Sequence, residues 1–277
     1  MKSTLPPILL SAVAVLFASP APAHEMFLKS EGFELVEESE QVIRLLNGTF
    51  DISENAVSRD RMRDVSLVAH GKRTHPPASD WYDEEDGSAS YLKYRSAAAG
   101  TYVLGVSTNP SLIALKRDDF VAYLKHDGVI DVLAEFEKGA GPDVVRERYS
   151  KHVKALVQVG KERTGDHAAV LGYPVEIVPD TNPYDLRFGQ ELGFQVLVDG
   201  KPAANLPVRV GYEGFHGHDE SGEHVSHYAL RTDADGRAKF LLSNKAIWYI
   251  SLIHMKEVNE PEVDYESNWA TLTFAVK

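Results

Sequence analysis

The chain has 277 residues, 43% of them apolar, a formal net charge of −12 and no cysteine. That apolar content supports a globular core, and the acidic balance argues against nucleic acid and anionic membrane surfaces as partners. Without thiols there are no disulfides, cysteine nucleophiles, iron–sulfur clusters or thiolate zinc sites. Any metal site must then draw on His, carboxylates, Met or the amino terminus, donors that suit nickel, copper, cobalt or zinc.

Residues 1–23 read as a secretory signal peptide: Lys2 is the positive start, Leu9 to Phe17 the short apolar stretch, and Ala21-Pro22-Ala23 an A-x-A cleavage site. The apolar run is shorter than the roughly 20 residues of a membrane span. The expectation is a soluble periplasmic protein, not inserted in the membrane after cleavage. Cleavage after Ala23 would leave His24 with a free α-amine beside its imidazole, a two-nitrogen chelate of the histidine-brace type.

Residues 24–165 are expected to form a β-rich domain. Phe33–Val36, Gln41–Leu46, Val65–Ala69, Ser90–Tyr94 and Ala99–Val106 read as strands, with Asn47-Gly48 as a turn and 75–77 and 83–87 as loops. A helical segment is expected near 117–150. Phe120, Tyr123 and Leu124, then Val129, Val132, Leu133 and Phe136, recur at helical spacing, and Asp143 is placed to cap a further helix through Val144, Val145 and Tyr149. Lys154 to Val159 reads as a strand. The polar connector at 161–172 marks a domain boundary.

Residues 166–277 read as a more regular sandwich. Strands are expected at Leu192–Val198, Leu206–Val210, Tyr228–Thr232, Ala238–Leu242 and Trp248–Met255, and the last strand should turn Ala270, Leu272, Phe274 and Val276 to the core. The fold class is therefore mainly β: two β-sandwich domains, immunoglobulin- or transthyretin-like, with a short helical insertion in or after the first.

The densest chemical signal is the stretch 212–227, which holds four of the eleven histidines, His216, His218, His224 and His227, among Asp219, Glu220 and Glu223. In an extended segment His216 and His218 point to one side, which is half a metal shell; the plainer alternative is a solvated hairpin loop. His254 shares parity with Trp248, Ile250 and Leu252, as a buried core histidine would, but it lies near the end of its strand, where sandwich loops gather. His126 and His152 have no ligand-spaced partner and read as surface or core residues. His70, His75 and His167 fall in loops. No G-x-S-x-G elbow, H-E-x-x-H helix, P-loop or dinucleotide fingerprint is present.

Several pieces together resemble a known family. They are His24-Glu25-Met26-Phe27-Leu28, Tyr149-Ser150-Lys151, Gln195 through Pro202, Thr232 through Gly236, Ile253-His254-Met255 and Trp269-Ala270-Thr271-Leu272. The set resembles the bacterial periplasmic family of unknown function linked to the substrate-specific component of nickel uptake. The resemblance implies a secreted β-sandwich concerned with nickel or cobalt, and points to His24 and His254 as ligands.

The reading is a periplasmic protein that captures or delivers a divalent ion, nickel first and copper or cobalt next, as an accessory to a membrane metal transporter. His24, His216, His218 and His254 would form the shell, with His227 in reserve. A nitrogen-rich shell suits Ni(II) or Cu(II), and copper usually wins on affinity, so nickel comes from the resemblance. Two alternatives stand. One is a copper-dependent oxidative enzyme using the histidine brace, with Trp81 and Tyr82 as its aromatic substrate face. The other is a metal-independent adaptor binding protein or glycan.

Overall fold

The computed structural model describes residues 24–139, 141–218, 224–225 and 227–277. The expected leader at 1–23 lies outside them, as do Asp219, Glu220 and Glu223 and the side chains of His218 and His224. Among the described residues no helix is long and apolar enough to cross a membrane.

The fold is a β-sandwich of three layers. Its middle is a ten-stranded sheet in which the strands Tyr228–Arg231, Pro207–Tyr212, Ile247–Glu260, Val263–Ala275, Val144–Val159, Gly100–Thr108, Met62–Ala69 and Lys72–Thr74 lie side by side. Glu34–Leu35 and Ser111–Lys116 also pair with Val144–Val159. On one face packs a sheet of Glu25–Ser30, Ser39–Gly48, Ser90–Ser96 and Trp81–Asp83; on the other, one of Val175–Pro179, Glu191–Val198, Lys201–Pro202 and Arg237–Leu241.

Alternation along Ile247–Glu260 separates the two faces. Trp248, Ile250 and Leu252 join the core with Ile177, Leu192, Phe194 and Val196, whereas Tyr249 packs with Phe27 of the N-terminal strand. The expected parity of Ala270, Leu272, Phe274 and Val276 holds, and all four are buried in the first of these cores. Thr271 and Thr273 on the other face are buried too, because the N-terminal strand covers them. Thr271 Oγ1 donates to the Met26 carbonyl at 2.9 Å and Thr273 Oγ1 to that of Leu28 at 2.5 Å, so neither hydroxyl is stranded.

The regions on either side of the expected boundary at 165/166 share a sheet. Val144–Val159 and Val263–Ala275 pair in parallel from Glu147↔Tyr265 to Ala155↔Thr273, so both regions build the central sheet. Strands buried on both faces need neighbours on both edges, and here these come from the other half of the chain. The helical segment is shorter than 117–150. α1 spans Arg117–His126 and α2 Ile130–Phe136, and Phe120, Tyr123, Leu124 and Phe136 bury against Val145, Tyr265 and Trp269. Residues 144–159 form one strand: the strand expected at 154–159 is there, and the capped helix expected through 144–149 is not. Only the start of the strand alternates, with Val145 and Glu147 buried and Val144, Arg146 and Arg148 not, a pattern that the charges at 146–148 disguise; from Ser150 to Val159 every residue is buried. Asn47-Gly48 closes the strand Ser39–Gly48, and the chain turns back just after it, so that Gly48 bridges to Ser53.

Candidate metal site

The N-terminal strand Glu25–Ser30 pairs antiparallel with Ser39–Gly48, Glu25 opposite Gly48, and is tied to the central sheet by the two threonines. This fixes His24 at the mouth of a cavity of about 460 Å³. Buried Lys151 reaches up from the central sheet, and its ammonium donates to the His24 carbonyl and, at 3.0 Å, to Asn47 Oδ1. Burial lowers its pKa to about 8, against the opposing pull of Glu25.

The loop after Gly48 folds back on itself. The Thr49 amide donates to the Ile52 carbonyl and that of Glu54 to the Asn47 carbonyl, both at 2.9 Å. A Cβ on Gly48 would sit 2.3 Å from the Ile52 carbonyl oxygen, so the fold-back needs glycine there. The loop carries Glu54 to the His24 ring, Nε2 to Oε2 2.8 Å. Below, Phe27, Phe50 and Tyr249 form an aromatic floor with ring centroids 4.7 to 5.3 Å apart. Gly211 faces Tyr249 across the sheet, and a Cβ there would lie 2.5 Å from the tyrosine ring. Gly211→Ala should therefore displace Tyr249 and cost about 1–3 kcal/mol, the usual range for overpacking. A urea-denaturation midpoint indistinguishable from that of the parent chain would refute the packing argument.

The far wall is ionic. Arg209 places Nη2 at 2.6 Å from Glu25 Oε1 and Nη1 at 3.7 Å from Asp127 Oδ1. Asp127 also accepts from His126 Nδ1 at 3.1 Å, and that bond, with the carboxylate charge, raises the His126 pKa. His227 lines the same cavity. Burial, reinforced by the charges of Arg209 and His126, lowers its pKa to about 4. It is neutral at neutral pH, the form in which imidazole binds metals.

Of the five candidate ligands, the structure brings His24 and His227 into one cavity and adds His126. His126 ends α1 and is exposed. Sequence spacing gave no sign of it, because α1 reaches the cavity only through the fold. His216 is exposed and next to Phe215, a lining residue, but does not itself line the cavity. His254 is the clear departure. It shares the sheet face of Trp248, not that of Tyr249, and lines a separate hollow of about 200 Å³ with Arg63, Ser150, Asp199 and Asn268. A shell joining His24 to His254 is not formed. His152, expected as a surface or core residue, is buried: Nδ1 meets Ser107 Oγ at 2.9 Å and Nε2 meets Asn268 Oδ1 at 3.0 Å. Trp81 is buried, with its Nε1 donating to the Val57 carbonyl, and Tyr82 stacks on Tyr91; neither lines the cavity.

Glu25, Asp51, Glu54 and Asp127 line the cavity; Arg209 pairs with Glu25 and Asp127, and the Lys29 ammonium lies 3.9 Å from Asp51 and 4.6 Å over the Phe50 ring. Among the described residues, no group of three or more His, Asp or Glu is set closely enough to hold an ion as it stands. The His24 and His126 rings are paired with carboxylates, and an ion would have to exchange those partners for itself.

No curated protein matches the chain. Among solved structures it is similar to the D0–D1 domain of intimin, at 9% identity and a TM-score of 0.21 over 91% of this chain and 98% of that one. It is also similar to an alpha-2-macroglobulin from Salmonella, at 12% and 0.24 over 97% and 16%. A third is a DUF4785 family protein from Legionella pneumophila, at 9% and 0.23 over 82% and 51%. Overlaps of that size carry no argument about function. The sequence itself is decisive at the level of family: residues 21–256 match the profile of a domain of unknown function, and the chain belongs to that family, DUF4198.

Proposed function

We propose that the protein captures or delivers a divalent transition-metal ion in the cavity at His24, outside the cytoplasm and as an accessory to a membrane metal transporter. Nickel is the first candidate, with copper and cobalt next. The observation that supports this reading is the meeting of His24, His126 and His227 in one carboxylate-lined cavity, from three distant parts of the chain. His24 would give its imidazole and, once the leader is removed, its amine. His227 would give a neutral imidazole, and His126 would follow on release from Asp127. Nitrogen donors without thiolates suit Ni(II) and Cu(II). The choice of nickel rests on the family resemblance.

The test is calorimetric titration of Ni(II), Cu(II), Co(II) and Zn(II) into protein that begins at His24, and into His227→Ala. One ion per chain is expected, with affinity at least about tenfold weaker in the variant, or about 1.4 kcal/mol. Absence of saturable binding by any of the four, or equal binding by the variant, refutes the reading.

A further inference from the structure

A second cavity, of about 350 Å³, lies beside the N-terminal strand at Met26. Its only charged lining residues among those described are two cations, Arg61 and Lys151, in a chain with 41 acidic and 29 basic residues. Lys151 stands on the strand Val144–Val159 and Arg61 at the entry to Met62–Ala69, with Thr108 between them. Thr108 is opposite Met62, and its Oγ1 accepts from the Lys151 amide at 2.9 Å. The two cations are thus two strand spacings apart, about 10 Å along the sheet. Their side chains are long enough to reach one small molecule.

Neither charge has a carboxylate partner among the described residues. Lys151 is 6% exposed, and its two acceptors, the His24 carbonyl and Asn47 Oδ1, are neutral. An ammonium has three N–H donors, so one is left over. Beyond those acceptors the ammonium meets the Tyr149 and Trp269 rings, 5.7 and 5.6 Å from their centroids. Arg61 donates to the Ser111 hydroxyl oxygen. The acids nearest to the cavity in sequence turn elsewhere, Glu54 to His24 and Asp60 to the Ser58 hydroxyl. The acids whose field reaches Lys151 lie outside the cavity lining and are engaged: Arg209 pairs with Glu25 and Asp127, while Tyr123 and Ser267 donate to Glu147. A buried ion without a counterion is costly, and an anion entering the cavity offsets that cost.

We infer that this cavity binds a small organic acid, best a dicarboxylate that sets one carboxylate at Lys151 and the other at Arg61. Both cations give charge-assisted hydrogen bonds to carboxylates. The volume lies at the lower end of the roughly 300–1,000 Å³ of pockets that enclose small organic molecules. Met26, Ala56 and Val57 line it with carbon against which a short chain can pack. The inference is independent of the metal reading, since it uses neither the His24 ring nor its amine.

The test is calorimetric titration at pH 7 of succinate, its neutral analogue succinamide and inorganic phosphate into metal-free protein beginning at His24. One succinate per chain is expected, with succinamide and phosphate each at least about tenfold weaker (about 1.4 kcal/mol). Arg61→Gln, at a half-buried position, should weaken succinate binding at least about tenfold while leaving the thermal melt unchanged. Succinamide tests the role of charge without any variant. Absence of saturable succinate binding, equal binding of succinamide, or equal binding of succinate by folded Arg61→Gln would each overturn the inference. Phosphate binding as tightly as succinate would overturn the assignment to an organic acid. Metal is absent throughout, so each of these results leaves the metal reading standing.

Discussion

Protein extended by one residue ahead of His24 is expected to bind its ion at least about a hundredfold more weakly than protein beginning at His24, a loss of about 2.7 kcal/mol. The extension turns a basic amine into an amide nitrogen, which has no free lone pair at neutral pH, and breaks the two-nitrogen chelate at its first donor. The fold cannot compensate by sliding the strand. The His24 carbonyl is held by Lys151, and those of Met26 and Leu28 by Thr271 and Thr273. Calorimetry on the two forms, with matched thermal melts to show equal folding, decides the matter. Equal affinities would remove the amine from the site.

The second large effect concerns Glu147, in the central sheet beneath α1. Its Oε1 accepts from Tyr123 OH at 3.1 Å and from Ser267 Oγ, while Oε2 has no partner among the described residues. The residue is 1% exposed, and burial raises its pKa from 4.5 to about 7 despite those two hydrogen bonds. The folded state thus holds a proton that the unfolded chain gives up near pH 4.5. Its contribution to stability is fully present below that pH and is lost as pH rises through 7. At about 1.4 kcal/mol per unit, the cost by pH 8 is on the order of 3 kcal/mol. Glu147→Gln stays neutral throughout. Urea denaturation at pH 5 and pH 8 should show the parent chain losing stability relative to the variant by that order. Parallel pH profiles for the two proteins would refute the argument.

Much of the strand framework was legible in the sequence, since Gln41–Leu46, Leu192–Val198 and Trp248–Met255 carry the period-two or continuously apolar patterns that strands impose. The layer arrangement was not. Thr271 and Thr273 look like the outward face of a one-sided strand, and only the carbonyls of Met26 and Leu28 explain how they tolerate burial. The start of the strand Val144–Val159 passes for a helix for a related reason. Its charged residues 146–148 hid an alternation, and Glu147 inside the sheet is not a residue that a hydrophobic pattern can find. At the site, His24 and His227 could be named from the leader and the histidine cluster. His126 could not, because its approach depends on how α1 lies over the sheet. His254 shows the opposite limit. Its parity with Trp248 was readable, and parity placed it on the far face of the sheet from the cavity.

The union of the first strand with the last has a further consequence for when the site comes into being. Residues 24–28 find their hydroxyl anchors on the strand Val263–Ala275, almost 250 positions later (|i−j| = 245 for both bonds), and the cavity also needs Arg209, His227 and Tyr249. No N-terminal fragment emerging from a ribosome or a translocon can assemble it, because contacts of such long range close only when the distant segment has arrived. On the proposed function, a chain exported unfolded would therefore meet its ion only after crossing the membrane, and the metal bound would be set by the supply in the compartment where folding ends, not where synthesis begins.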